Sequence, residues 1–255
     1  MDKIRVNILN PSVAENAAQM AVAAARLTQG GHKIHSLEDF MALYEKPYSE
    51  DFVGNLCKLP HPTLQKFGVI NMVVVGASRR FLAQITRHQN EVKFMSASLQ
   101  YSDYSGNADF VVPYDFMGLP EAEAVYLQAC RAMMGLYQTL VKNGRDNDAA
   151  GYAAPQGLRN VLIISATPYQ WKHMISQRIC RRNTDETRYV MLICWQALQE
   201  TYPALFSDAG CDCMQGGCRE GKMSCGRPVD KTLTARDIID TDFPLVAERR
   251  KANEN

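Results

Sequence analysis

The chain has 255 residues, a hydrophobic content of 46%, a formal net charge of +1 and eight cysteines. That is enough apolar material for a sizeable core, and the charge balance excludes a large uniform basic field of the kind that holds nucleic acid. No apolar run reaches the roughly 18 residues of a membrane helix, and the first residues lack the apolar stretch of a signal peptide, so a soluble, cytoplasmic protein with reduced thiols is expected.

In chain order, Ser12 and Glu15 have capping-box spacing and open a helix that runs to the Gly30-Gly31 stop. A second helix is expected over residues 37–44. Residues 67–75 are β-branched and apolar and predict a mostly buried strand, after which Ser78 caps a helix reaching about His88. Residues 109–114 predict a short exposed strand, because Pro113 has no N–H for a ladder. From Pro120 to Lys142, Val125, Ala129, Ala132, Met133, Leu136 and Leu140 recur with helical period and mark the principal core helix, stopped by Asn143-Gly144. A strand over residues 161–166, a helix capped by Thr167-Pro168 and a long helix over residues 184–199 follow. Helices and strands alternate without a regular order, which predicts an α+β fold in one domain.

The first cluster of chemical groups lies on the helix after Ser78. Gln84, Arg87 and His88 are spaced i, i+3 and i+4 and so share one helical face, beside an apolar stripe of Phe81 and Ile85. An amide, a fixed cation and an imidazole together suit a pyrimidine edge, a phosphate and an aromatic cofactor. The same spacing also describes a solvated polar face, and spacing alone does not separate the two readings.

Residues 84–89, Gln-Ile-Thr-Arg-His-Gln, followed by Met-Ser-Ala-Ser-Leu-Gln-Tyr-Ser at 95–102, resemble the signature of the flavin-dependent thymidylate synthases. Gln89 stands where the family has a third Arg in its Arg-His-Arg triplet, and Gln100 stands where it has an Arg before Tyr-Ser. Three more segments are similar in the same order: residues 59–63 with the strand after them, residues 157–162, and residues 178–188 with an Arg at each end. The likeness covers roughly residues 10 to 208, and four ordered segments are more specific than any one of them.

The resemblance implies that family's α+β fold, with a mixed or antiparallel sheet flanked by long helices over residues 1–208, and a cysteine-containing extension over residues 209–255. It implies reductive methylation of dUMP to dTMP, with FAD reduced by NADPH and 5,10-methylenetetrahydrofolate as carbon donor. By the same resemblance Gln84, Arg87, Ser98, Gln100, Arg159 and Arg188 surround dUMP, with Arg87 and Arg188 as the catalytic pair. Thr63, Arg79, His88, Gln89, Asn90, Arg178 and Asn183 contact FAD. A homotetramer with shared active sites is expected, with no nucleic acid and no membrane as partner. Two alternatives stay open: a related pyrimidine nucleotide hydroxymethylase, and a non-enzymatic zinc-containing nucleic-acid-binding module.

Cys211, Cys213, Cys218 and Cys225 fall within fifteen residues among glycines that permit tight turns, so they either surround a tetrahedral zinc or form a loop of free or redox-active thiols. The spacing lacks a paired C-x-x-C, which favours the second reading, and no metal is assigned. Cys130, Cys180 and Cys194 lie in helical or apolar segments and are expected to be inert packing residues.

Overall fold

A computed structural model of the protein describes residues 1–106 and 108–254. The chain opens with strand β1 (Arg5–Ile8) and helices α1 (Val13–Gly30), α2 (Leu37–Glu45) and α3 (Glu50–Cys57). It continues through β2 (Ile70–Ser78), α4 (Arg79–Ile85), β3 (Val92–Ser96), α5 (Pro120–Lys142), α6 (Asn147–Gly151) and β4 (Arg159–Ala166). Helices α7 (Pro168–Arg178), α8 (Asp185–Thr201), α9 (Asp212–Gln215), α10 (Ala235–Asp242) and α11 (Pro244–Glu254) complete it. The four strands form one antiparallel sheet in the order β1-β2-β4-β3, so the fold is α+β as expected.

Strand β2 starts three residues later than its apolar run predicts, at Ile70 instead of Phe67. Gly68 explains the delay: its φ is +74°, and a Cβ there would stand 2.7 Å from that of Ala17, so the chain turns tightly against α1 before pairing begins. Further along, Val75 pairs with Val161 and Ala77 with Asn160, which leaves Gly76 as an extra residue on β2. Its φ of +83° marks a glycine bulge, and this bulge turns the Gly76 carbonyl toward Arg159. Burial along β2 alternates: Ile70, Met72 and Val74 are in the core, while Val75 is 43% exposed. The strand is therefore mostly buried, as expected, with Val75 exposed.

Helix α5 has the bounds its sequence predicts but not the predicted role. Its inner face is Cys130, Met134 and Tyr137, which join Phe110, Ala150, Ala153 and Leu158 in a small second core. The periodic residues expected in the core point away: Val125 is 66% and Leu136 54% exposed, and Ala129, Ala132 and Met133 are exposed too. The central core helix is α8, whose residues from Thr187 to Trp195 are all buried beneath α7, α10 and β1. Trp171 on α7 donates from its indole N–H to the Ile70 carbonyl at 3.2 Å and locks that helix to β2.

Two local expectations change. Ser12 is itself in the helical region with no side-chain cap, so its capping box with Glu15 does not form. Residues 109–114 make a single bridge, Phe110 to Leu158, and Phe110, Val111 and Val112 are buried where exposure was predicted. The segment after Thr201 packs on the core through Cys211, Val229, Ile238, Ile239, Phe243 and Val246, with Thr234 and Asp237 closing a capping box at the start of α10. No helix among the described residues is long and apolar enough to cross a membrane.

Candidate active site

Helix α4 begins as the sequence predicts, with Ser78 accepting from the Phe81 N–H at 3.1 Å. The same hydroxyl donates to Glu186, whose other carboxylate oxygen accepts from the Ser78 N–H at 2.6 Å. Burial pushes the Glu186 carboxyl above its ordinary range, against the hydrogen bonds from Ser78. Glu186 thus joins the first turn of α8 to the first turn of α4, a link the sequence pattern did not single out.

The helix stops at Ile85, because Thr86 turns its hydroxyl back to the Leu82 carbonyl at 2.8 Å. Arg87 and His88 therefore lie beyond the helix and do not share a helical face with Gln84, contrary to expectation. The chain then passes Glu91, a non-glycine residue at φ 53°, held by Lys66 at 2.7 Å and by the Thr167 hydroxyl at 3.2 Å. This turn carries Gln89 and Asn90 to the surface.

His88 is buried, and its Nε2 accepts from Nε of Arg178 at 2.9 Å. That bond leaves the proton of the neutral ring on Nδ1. The His173 ring meets it edge-on, with centroids 5.7 Å apart. Burial, then the Arg178 cation and His173, lower the His88 pKa to about 4. Arg178 also donates to the Gln84 carbonyl at 3.2 Å and to Oδ1 of Asn183 at 3.4 Å. Arg87, His88, Gln89, Asn90 and Arg178 line one pocket of about 310 Å³ together with Gln170, His173 and Gln177. Gln170, His173 and Gln177 share α7 at spacings of three and four residues, and that polar spacing is the signal in the sequence that marks them.

The side chain of Gln84 points elsewhere, accepting from the hydroxyls of Thr184 and Thr187 at the start of α8. Arg79, expected among the flavin residues, lines a second pocket with Ser98 and Gln100. Ser78 on β2 pairs in register with Arg159 on β4, so Arg79 and Arg159 stand at the same end of the sheet. Arg159 donates to the Gly76 carbonyl at 2.6 Å, and its Nε lies 3.1 Å from Asp109 as an ion pair without hydrogen-bond alignment. Among the described residues, Nη1 of Arg79 and Nε of Arg159 are buried donors that make no hydrogen bond. Guanidinium donors left in this state are ones that a phosphate or a carbonyl oxygen would complete.

Arg188 is 5% exposed and bonded to Asp242 of α10, with its guanidinium 5.1 Å from the centre of the Phe243 ring. Asp242 also accepts both Nε and Nη2 of Arg181. Arg188 is thus neutralised from within, chiefly by Asp242, a carboxylate on a distant segment that no local pattern marks. Thr63 sits exposed in the turn before β2 and lines neither pocket.

The chain is thus an α+β scaffold with one antiparallel sheet and two arginine-bearing pockets. The chain belongs to the Thy1 family, thymidylate synthase complementing protein, which it matches over residues 12–204. It is 24% identical to the flavin-dependent thymidylate synthase of Geobacter sulfurreducens over 188 residues, 73% of this chain and 81% of the relative. With the flavin-dependent thymidylate synthase of Thermococcus onnurineus the identity is 25% over 174 residues, 64% and 69% of the two chains. Among solved structures it resembles the UMP/dUMP methylase PolB from Streptomyces cacaoi bound with 5-Br dUMP, with a TM-score of 0.61 at 16% identity over 82% of this chain and 96% of the other. Thymidylate Synthase X from Helicobacter pylori with FAD and dUMP gives a TM-score of 0.59 at 16% identity over 81% and 98%. Family membership sets aside the non-enzymatic nucleic-acid-binding reading.

Proposed function

We propose that this chain is a flavin-dependent thymidylate synthase whose His88–Arg178 pocket holds FAD and whose Arg79–Arg159 rim holds dUMP. When bound, FAD reduced by NADPH supplies the hydride that converts dUMP to dTMP, with 5,10-methylenetetrahydrofolate as the carbon donor. The observation that carries the reading is the buried His88–Arg178 pair inside a polar pocket of this family's fold. The residues present fit the cofactor: a neutral imidazole with a free Nδ1–H, a guanidinium and two exposed amides suit ring edges and phosphates.

In this assignment His88, Gln89, Asn90, Arg178 and Asn183 face the flavin, and Arg79, Ser98, Gln100 and Arg159 face the nucleotide. Arg87 bridges the two, and Gln84 positions the start of α8. Nη1 of Arg79 would bind the anion without first breaking an internal hydrogen bond, whereas Nε of Arg159 would exchange its ion pair with Asp109 for the ligand, and their fixed charge would orient the base toward the reacting ring. A pocket of about 310 Å³ is small for a dinucleotide, so one chain supplies only part of its site. Our reading of the assembly is a homotetramer with shared active sites, supported by the apolar surface left on α5 and on the outer sheet face at Val75, Val161, Ile163 and Met95. The enzyme would work on soluble folate and nucleotide in the cytoplasm.

The test is the visible spectrum of purified wild type and His88→Ala, with dUMP binding measured on both. Wild type is expected to retain or take up FAD, and the variant to lose flavin while keeping most of its dUMP affinity. Equal flavin content in the two proteins would remove the His88 assignment, and no flavin uptake by wild type would remove the function.

A further inference from the structure

The methylation chemistry leaves the cysteines unused, yet five of them line one cavity of about 590 Å³ between the turn joining α7 to α8 and the C-terminal segment: Cys180, Cys211, Cys213, Cys218 and Cys225. We infer that Cys180, Cys211, Cys213 and Cys225 form a tetrahedral four-thiolate site for a thiophilic divalent cation, zinc foremost. The set differs from the sequence cluster of residues 211–225 in one ligand. Cys180, read from sequence as inert packing, comes in from the other side of the cavity, and Cys218 lies exposed at the rim.

Sγ of Cys211 and Sγ of Cys213 are 3.3 Å apart. Two sulfurs bonded at about 2.3 Å to one tetrahedral zinc lie about 3.8 Å apart, so this pair needs only a small opening. The Val229 N–H donates to Sγ of Cys213, and the Arg227 N–H donates to Sγ of Cys225, each at 3.4 Å. Backbone N–H groups aimed at sulfur stabilise thiolates and orient them as ligands do in closed metal sites. Cys180 lines the same cavity as Cys211, Cys213 and Cys225. Among the described residues no three such donors already converge at bonding distance, so the Cys180 and Cys225 side chains must rotate inward, for which the cavity has room.

Binding one dication displaces four thiol protons and yields a complex of net charge minus two, with no change of oxidation state. Arg227 on the cavity wall offsets part of that charge, while Arg181 and Arg182 are already paired with Asp242 and Glu220. The ion would fasten the turn that carries Asn183, the partner of Arg178, to the C-terminal segment, which also grips Arg181 through Asp242. The cation is therefore structural, and the inference stands apart from the flavin assignment.

The experiment is elemental analysis of full-length protein purified in reducing buffer and loaded with zinc, then with cobalt. The expected result is about one zinc per chain, and a cobalt form with thiolate charge-transfer bands and the d–d pattern of four-sulfur tetrahedral coordination after subtraction of any flavin absorbance. Cys180→Ser and Cys213→Ser should each lower zinc retention at least tenfold, whereas Cys218→Ser should keep it. Wild-type protein that takes up neither metal overturns the site, whatever the variants do. A disulfide among these cysteines in thiol-blocked protein would also overturn it, as would zinc lost in Cys218→Ser but kept in Cys180→Ser.

Discussion

Nε of Arg178 donates to Nε2 of His88, and the cation holds the buried imidazole in its neutral form. Burial is the larger cause, Arg178 and His173 follow, and the pKa falls from 6.5 to about 4. Between those two values the unfolded chain binds a proton at this position and the folded chain does not. Stability from His88 is therefore complete above pH 6.5 and declines as the pH falls toward about 4. The thermal midpoint of wild type should drop across that interval more steeply than that of His88→Gln. Parallel curves for the two proteins would show that folding leaves the proton affinity of the ring unchanged.

The Arg79–Arg159 rim predicts how nucleotide binding fails. Losing one charge-assisted hydrogen bond to a bound anion costs about 1.5 to 3 kcal/mol, roughly ten- to a hundredfold in affinity. Arg159→Lys should weaken dUMP binding by about that factor. It should leave the flavin spectrum unchanged, since an ammonium cannot donate to Gly76 and to the ligand with one planar fork. Isothermal titration in low and high salt checks it, and an affinity equal to wild type would place this arginine outside the nucleotide site.

Asp242 holds Arg181 and Arg188 together. Burial opposes its ionisation, but hydrogen bonds from the two guanidinium groups hold its carboxyl below the ordinary range, so its contribution to stability is present above pH 3.8 and is lost as the pH falls through the lowered value. Asp242→Asn leaves Arg181 without its carboxylate partner and Arg188 with only the longer contact to Asp185, and should destabilise the fold by on the order of 3 kcal/mol, read from urea midpoints. Because Asp242 competes with any anion for Arg188, the same variant should bind dUMP more tightly. Unchanged dUMP affinity would make Arg188 a structural residue.

The exposed stripe of α5 predicts the assembly. Val125 and Leu136 touch no core, so Val125→Asp with Leu136→Asp should leave the monomer folded while lowering the sedimentation coefficient and the activity together. An assembly of unchanged size and full turnover would show that the subunits meet elsewhere. If the flavin and nucleotide groups come from different chains, mixing Arg87→Ala with Arg79→Ala should restore part of the activity that each has lost.

Much of the architecture was legible because it is local. Pro120 and the Asn143-Gly144 stop bounded α5 correctly, and Thr167 with Pro168 marked the start of α7. The periodicity of Val125, Ala129 and Leu136 reported a stripe but not what covers it, so a surface was read as a core. Gln84, Arg87 and His88 have helical spacing, yet the Thr86 hydroxyl ends the helix between them, a competition that spacing does not record. The Arg188–Asp242 and Cys180–Cys213 relationships join segments far apart in the chain, and nothing local marks them.

The sheet order has a consequence for synthesis. The β2 ladder is completed by β1 on one side and by β4 on the other, and β4 ends at Ala166. When β2 leaves the ribosome, the edge that β4 will cover has no partner until some eighty further residues have been made, α5 among them. The strand waiting at that edge includes the run Ile70, Met72, Val74, which is the kind of apolar segment that pairs wrongly between nascent chains. Early α1 packing against the turn at Gly68 then acts as a brake on misassembly, and slow translation through residues 79–158 would lengthen the interval in which a holdase chaperone has something to bind.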